Sequence, residues 1–190
     1  MRDGWRHAAP RDAGDDGVTL REYYAYIKRA RRALWPALLE LSDNEASAPI
    51  PGDVWSCLKH LAFHAASAED AWMHEDVQRV EPLLLRNEAL QGADAASLCS
   101  VLMADIVAYW QEVEAATDAY LERVQDDEFE RVMTPWDDPS WKLRVGDVIW
   151  HVMTHEVRHT AQIVAQLRAV GRTPPSLDLL FHLPERDLLR

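Results

Sequence analysis

The sequence predicts an all-α protein, a four-helix bundle with a mobile N-terminal tail. Three observations carry that expectation. Four long stretches repeat apolar residues at helical spacing. Pro- and Gly-bearing breaks separate those stretches. No stretch alternates apolar and polar residues as a half-buried strand would. The 190 residues, 48% of them hydrophobic, suit one domain with a sizeable core, so the expected division is a tail at residues 1–17 and a single domain at 18–190.

The tail mixes Gly, Asp, Arg and Pro without periodicity. Helix one is expected from Thr19, because Thr19-Leu20-Arg21-Glu22 forms a capping box in which hydroxyl and carboxylate satisfy free backbone donors. Leu20, Tyr23, Tyr24, Ile27, Leu34, Leu38 and Leu41 make its stripe, and Pro36 is a candidate kink. After the loop Pro49-Ile50-Pro51-Gly52, Asp53 is expected to cap helix two, which runs to about Met73 on a stripe of Val54, Leu58, Leu61, Ala65, Ala68 and Trp72. A short helix fits residues 83–91. Helix three is expected over about 94–125, striped by Leu98, Val101, Leu102, Tyr109, Val113, Ala116 and Tyr120. Residues 126–144 are irregular, with Pro135, Pro139, Trp136 and Trp141, and are long enough to be a functional loop. Helix four is expected over 145–170, with Gly171 as its stop and Pro174-Pro175 barring continuation.

Composition excludes several functions. A net charge of −12 argues against a nucleic-acid groove and against an anionic membrane surface. No apolar run approaches the ~20 residues that span a bilayer, and the N-terminus has no apolar signal-peptide core. Cys57 and Cys99, far apart and both in apolar helical patterns, predict free thiols, no disulfide and a reducing, cytoplasmic compartment.

The chemistry concentrates in histidines. Helix two carries His60 and His64, and helix four carries His151, His155 and His159. Residues four apart on a helix point the same way and can share a metal ion. At about 100° per residue, His159 falls near the centre of helix four's stripe and His155 about 60° to its side. His64 lies about 80° from helix two's stripe centre and His60 about 120°. Thus His155 and His159 should face the core, with His64 as a third partner, and His60 and His151 flank them. Polar groups in a core must be satisfied. The alternatives at this point are a metal site and two hydrogen-bonded core histidines.

The segment His151-Val152-Met153-Thr154-His155-Glu156-Val157-Arg158-His159-Thr160-Ala161-Gln162-Ile163 resembles the HxxxHxxxHxxQ signature of DinB-like proteins. Leu167 to Gly171, Pro174-Pro175 and Asp178-Leu179-Leu180 resemble that family's ending, and His64 to Trp72 resembles its H…E..W segment. Thr160-Ala161 departs from the frequent Arg-Gly pair. The resemblance covers nearly the whole chain beyond the tail and implies a bundle of the DinB/YfiT type. It further implies metal ligation by His64, His155 and His159, with a divalent zinc, nickel, manganese or iron ion.

Members of the resembled superfamily include enzymes that use a low-molecular-weight thiol such as bacillithiol or mycothiol. The resemblance therefore implies a metal-dependent, thiol-dependent S-transferase or a hydrolase acting on a small molecule. The alternative is a metal-binding sensory module without turnover. Pairing into a homodimer is compatible with a bundle of this size.

Other residues have two readings each. Glu156 is the candidate general base, or the partner of an arginine. Gln162 is a candidate pocket residue, or an interhelical bridge. Arg31 and Asp105 break their apolar stripes. They either neutralise each other (or Arg31 neutralises Glu156), or Arg31 receives an anionic substrate while Asp105 orients a ligand. Cys57 is more often a core cysteine than a nucleophile. His74 and His182 are expected at the surface, His7 in the tail, where it could bind adventitious metal, and Trp72 and Trp150 in or near the core. Trp136 and Trp141 either lid a pocket or pin their loop.

Overall fold

A computed structural model of the chain describes residues 19–182. The expected tail at residues 1–17, and His7 within it, lie outside the described residues.

Four long helices pack as a bundle: α1 (Leu20–Leu39), α3 (Leu58–Asp70), α4 (Met103–Arg123) and α5 (Val145–Ala169), with a single-turn α2 (Asp43–Ala46) after α1. α1 and α3 each pack chiefly against both α4 and α5, which places α1 diagonally across from α3. The described residues hold no helix long and apolar enough to cross a membrane.

α1 begins at the expected capping box. The Glu22 N–H donates to Thr19 Oγ1 at 3.1 Å, and the Thr19 N–H donates back to the Glu22 carboxylate at 3.0 Å. α5 ends at Ala169, and Gly171 closes the turn beyond it with a φ of +80°. There the Arg172 N–H reaches Leu167 O at 2.9 Å and the Gly171 N–H reaches Arg168 O at 3.0 Å, which satisfies two orphan carbonyls.

The inner boundaries of the two middle helices differ from expectation. Asp53 caps nothing: its carboxylate accepts from the adjacent Val54 N–H, and α3 starts at Leu58 with Cys57 at its N-cap. α4 starts at Met103. Asp94 Oδ1 accepts from the N–H groups of Ala96 and Ser97, and that local bonding competes with a continuous helix. Residues Ser97–Ser100 form a separate 3-10 turn, and Val101 is extended.

That break brings Cys99 against the start of α3, where it forms a disulfide with Cys57. The expectation of free thiols is overturned, and the inference from them to a reducing compartment loses its premise. An uninterrupted helix over residues 94–125 would have held Cys99 within a helical face. The broken chain lets it turn toward α3.

α3 also runs on past its expected end as a π-helical segment, Ala71–Gln78. The extension buries His74, which was expected at the surface, against Asp70 with Nδ1 2.7 Å from Oδ1. Trp150, expected in or near the core, is 50% exposed and lies on the Tyr23 ring at 5.0 Å. Trp72 is half-buried against the core. Although no strand was expected, Val132–Met133 (β1) and Leu143–Arg144 (β2) pair antiparallel, with Val132 opposite Arg144. Trp136 and Trp141 ride on the excursion between these two strands.

The core is two apolar clusters. One gathers Leu34, Leu38, Leu61, Trp110, Ile163 and Leu167; the other gathers Tyr24, Ile27, Met73, Tyr120, Ile149 and Val152. Each fully buried Leu, Ile or Met contributes about 1.5–3 kcal/mol. Between the clusters lies a charged layer drawn from all four helices. Arg31 of α1 donates to Glu156 of α5 through both Nε (2.7 Å) and Nη2, to Glu69 of α3, and more distantly to Glu114 of α4 at 3.5 Å. The Tyr24 hydroxyl adds a bond to Glu69 at 2.7 Å, and Arg32 one to Glu114 at 2.7 Å. Of the two pairings expected for Arg31, the one with Glu156 forms. Asp105 instead sits half-buried in the first turn of α4, where the helix dipole favours a carboxylate.

Candidate metal centre

α3 and α5 pack along their length, and this contact brings His64 together with His155 and His159. His155 Nε2 lies 3.2 Å from His64 Nε2 and 3.1 Å from His159 Nε2. The candidate ligand atoms of all three lie within 4.8 Å of one another. The helical spacing of His155 and His159 sets two of these positions. The third depends on the register of α3 against α5.

The donor set fits a cation. His159 Nδ1 lies 2.7 Å from Gln162 Oε1, an amide oxygen that only accepts. The proton therefore sits on Nδ1, and the His159 Nε2 lone pair faces the other two rings. A single proton on His155 Nε2 serves one neighbour well and not both, whereas one cation serves all three lone pairs. Burial, followed by the neighbouring His159, pushes His64 down to about 4. The same causes, with His64 as a further one, push His155 down to about 3. Burial also lowers His159, against the opposing bond to Gln162. All three are thus neutral bases at neutral pH, the form that ligates metals. The exposed Arg158 reaches His159 Nε2 at 3.4 Å, so its guanidinium would have to swing out as a metal enters.

Trp55 covers the cluster. Its ring lies 4.4 Å from that of His64 and 5.4 Å from that of His159. It precedes the disulfide-bonded Cys57 by two residues, so the Cys57–Cys99 link anchors the loop that carries it. Sequence reasoning missed Trp55 because it belongs to a loop and has no periodicity to mark it.

The remaining expected residues divide. Gln162 orients a candidate ligand. His60 accepts from the Ser56 N–H at 3.3 Å and packs edge-on to Trp55 at 5.2 Å, so it braces the covering loop rather than joining the cluster. His151 is exposed, with its ring 5.8 Å from His155 and 5.5 Å from Trp72. Glu156 points away from the imidazoles to Arg31. Burial raises its carboxyl to about 7, against the pull of Arg31. Arg31 is wholly enclosed by carboxylates and offers no surface to an anionic substrate. The orienting task expected of Asp105 falls to Gln162, which sits one helical turn from His159 and within reach of its ring.

The DinB family model matches residues 15–187 of the chain. A crystal structure of a conserved locus protein from Enterococcus faecalis is similar in fold, with a TM-score of 0.65 and 18% identity over 81% of this chain and 98% of the other. At that identity the likeness concerns the fold alone. No curated protein matches the chain.

Proposed function

The chain belongs to the DinB family, and from its three converging imidazoles we propose that it is a metal-dependent enzyme acting on a small molecule, with one divalent ion held by His64, His155 and His159. The observation that carries this reading is the approach of three Nε2 atoms with the far side of His159 already bonded to Gln162. Such an ion supplies Lewis acidity that lowers the pKa of a bound water or thiol at a position the protein leaves open. Imidazole donors suit zinc, nickel, manganese and iron alike, and supply selects among them.

The protein's own residues do the rest. Gln162 fixes the His159 tautomer, and Trp55 shields the cluster from solvent on one side. The charged layer of Arg31 and Glu156 holds α1 and α5 in register, so the proposal places Glu156 in the scaffold and gives it no proton to move. Two reactions fit: transfer to a low-molecular-weight thiol of the bacillithiol or mycothiol kind, and hydrolysis. Both use the same open position. The thiol reaction is preferred because of the resemblance to thiol-using members of the superfamily.

The test is metal analysis of tag-free protein beside His155→Ala, after dialysis against trace mixed metals. About one equivalent in the wild type, lost in the variant, supports the centre and justifies a thiol-transfer screen. Negligible metal in both leaves a bundle with buried histidines and sinks the proposal.

A further inference from the structure

We propose that the recess walled by Trp72, Trp136, Trp141 and His151 is the substrate pocket of this centre and receives a small alkylated ammonium group such as trimethylammonium. As a substrate pocket it rests on the metal reading above; as a cation cage it does not.

The recess encloses about 260 Å³ and is also lined by Leu143, Val148 and Asp147. That volume is just below the range of drug-sized sites, so it suits a small head group. The Trp72 and Trp136 rings stand 5.1 Å apart at 57°, and Trp136 and Trp141 stand 6.0 Å apart at 84°. His151 meets Trp72 at 68°. Walls set at such angles form a corner, not a slot. A flat ring stacks on one of them and collides with the next, whereas a tetrahedral cation touches several π faces at once. Indole is the strongest aromatic partner for a cation.

The backbone supports this reading. Trp136 and Asp137 adopt left-handed φ values of 52° and 54°, which are strained for non-glycine residues. The turn is held nonetheless. The Trp136 N–H donates to the buried Asp76 carboxylate at 2.8 Å, and Arg79 donates to Thr134 O at 2.7 Å and to Asp137 at 3.1 Å. The outcome is an indole presented 62% exposed, beside a Trp141 that is 50% exposed. A loop pinned merely by aromatic packing would bury them. Arg144 holds both oxygens of Asp147 at the wall, at 2.9 and 3.0 Å, so the attraction for a cation comes from the indole faces. The pocket adjoins the centre through His151, whose ring is 5.8 Å from that of His155.

Calorimetric titration of the full chain tests the cage. The probes are tetramethylammonium, choline and 3,3-dimethylbutan-1-ol, the neutral isostere of choline, at matched ionic strength. Choline should bind at least tenfold tighter than the isostere. Trp136→Leu and Trp141→Leu, which stay apolar but lose a π face, should each weaken choline about tenfold and leave the isostere nearly unchanged, with thermal midpoints confirming that both fold. Equal binding of choline and its isostere, or no saturable binding, overturns the cage. Choline binding that survives in metal-free His155→Ala supports the cage even if the metal reading fails. For adjacency, manganese-loaded wild type should enhance relaxation of the choline N-methyl protons, and Trp136→Leu should abolish it. Manganese that binds without any such enhancement separates the cage from the centre and overturns the substrate assignment, while the metal reading stands.

Discussion

Arg31 and Glu156 meet in the middle of the bundle with their side chains 0% and 4% exposed, the guanidinium donating to both oxygens of one carboxylate. Around them Glu69 and Glu114 add two more carboxylates, so the layer that separates the two apolar clusters holds more negative groups than positive ones. Such a layer resists removal of its cation far more than loss of one anion.

Arg31→Met should therefore be severe. Deleting one partner of a buried ion pair costs about 3–5 kcal/mol, and here it strands Glu156 and leaves Glu69 with the Tyr24 hydroxyl alone, while Glu114 keeps Arg32. Urea denaturation should show a loss of that size. A loss below about 1 kcal/mol, the scale of a surface pair, would contradict the account of the layer.

Glu156→Gln should be much milder and should change the pH profile. Burial pushes the Glu156 carboxyl up to about 7 from an ordinary 4.5. The folded chain then binds more protons than the unfolded chain between those values, so stability falls as pH rises from about 4.5 through 7. Denaturation midpoints across that window should slope downward in the wild type relative to the glutamine variant, and equal slopes would contradict the shift.

The histidine cluster has the opposite sign. His64 and His155 are pushed down to about 4 and about 3 from an ordinary 6.5. The unfolded chain takes up protons first, so the metal-free protein keeps this stability above about 6.5 and loses it progressively as pH falls toward 4. Melting of metal-free wild type and His155→Gln between pH 6.5 and 5, above the range where most carboxylates titrate, isolates the effect. The variant should lose less over that step.

Gln162→Leu shortens the side chain by one atom and removes the acceptor of the His159 Nδ1 proton. Outer partners of ligating histidines are worth about 10–100-fold in metal affinity. Competition with a chromophoric chelator should show a loss in that range, with one equivalent still bound at saturation.

The Cys57–Cys99 bond closes a loop of 42 residues in sequence separation. Its replacement by two serines should cost about 2–4 kcal/mol. Since it also anchors the Trp55 loop over His64, the double variant should admit solvent quenchers to Trp55. A Trp55→Phe background identifies that signal among the eight tryptophans.

Much of the bundle is legible in the chain because helices announce themselves locally. The Thr19 capping box, the Gly171 stop and the stripes of α1 and α5 depend on residues three or four apart, and the structure keeps those boundaries within a residue or two. The pairing of His155 with His159 is legible for the same reason. Where local bonding outcompetes the stripe, as at Asp94 to Ser97, the pattern misleads, and the error over Cys99 follows from it.

The sequence by itself determined four amphipathic helices, their outer ends and two imidazoles on one face, since helical periodicity is a property of neighbours along the chain. Tertiary structure alone decided which residues meet across the chain. It brought His64 to His155, closed Cys57 onto Cys99, laid Trp55 over the imidazoles and gathered Arg31, Glu69, Glu114 and Glu156 into one layer. Such contacts depend on the register and rotation of whole helices, which packing of the entire core sets and no short stretch of sequence encodes.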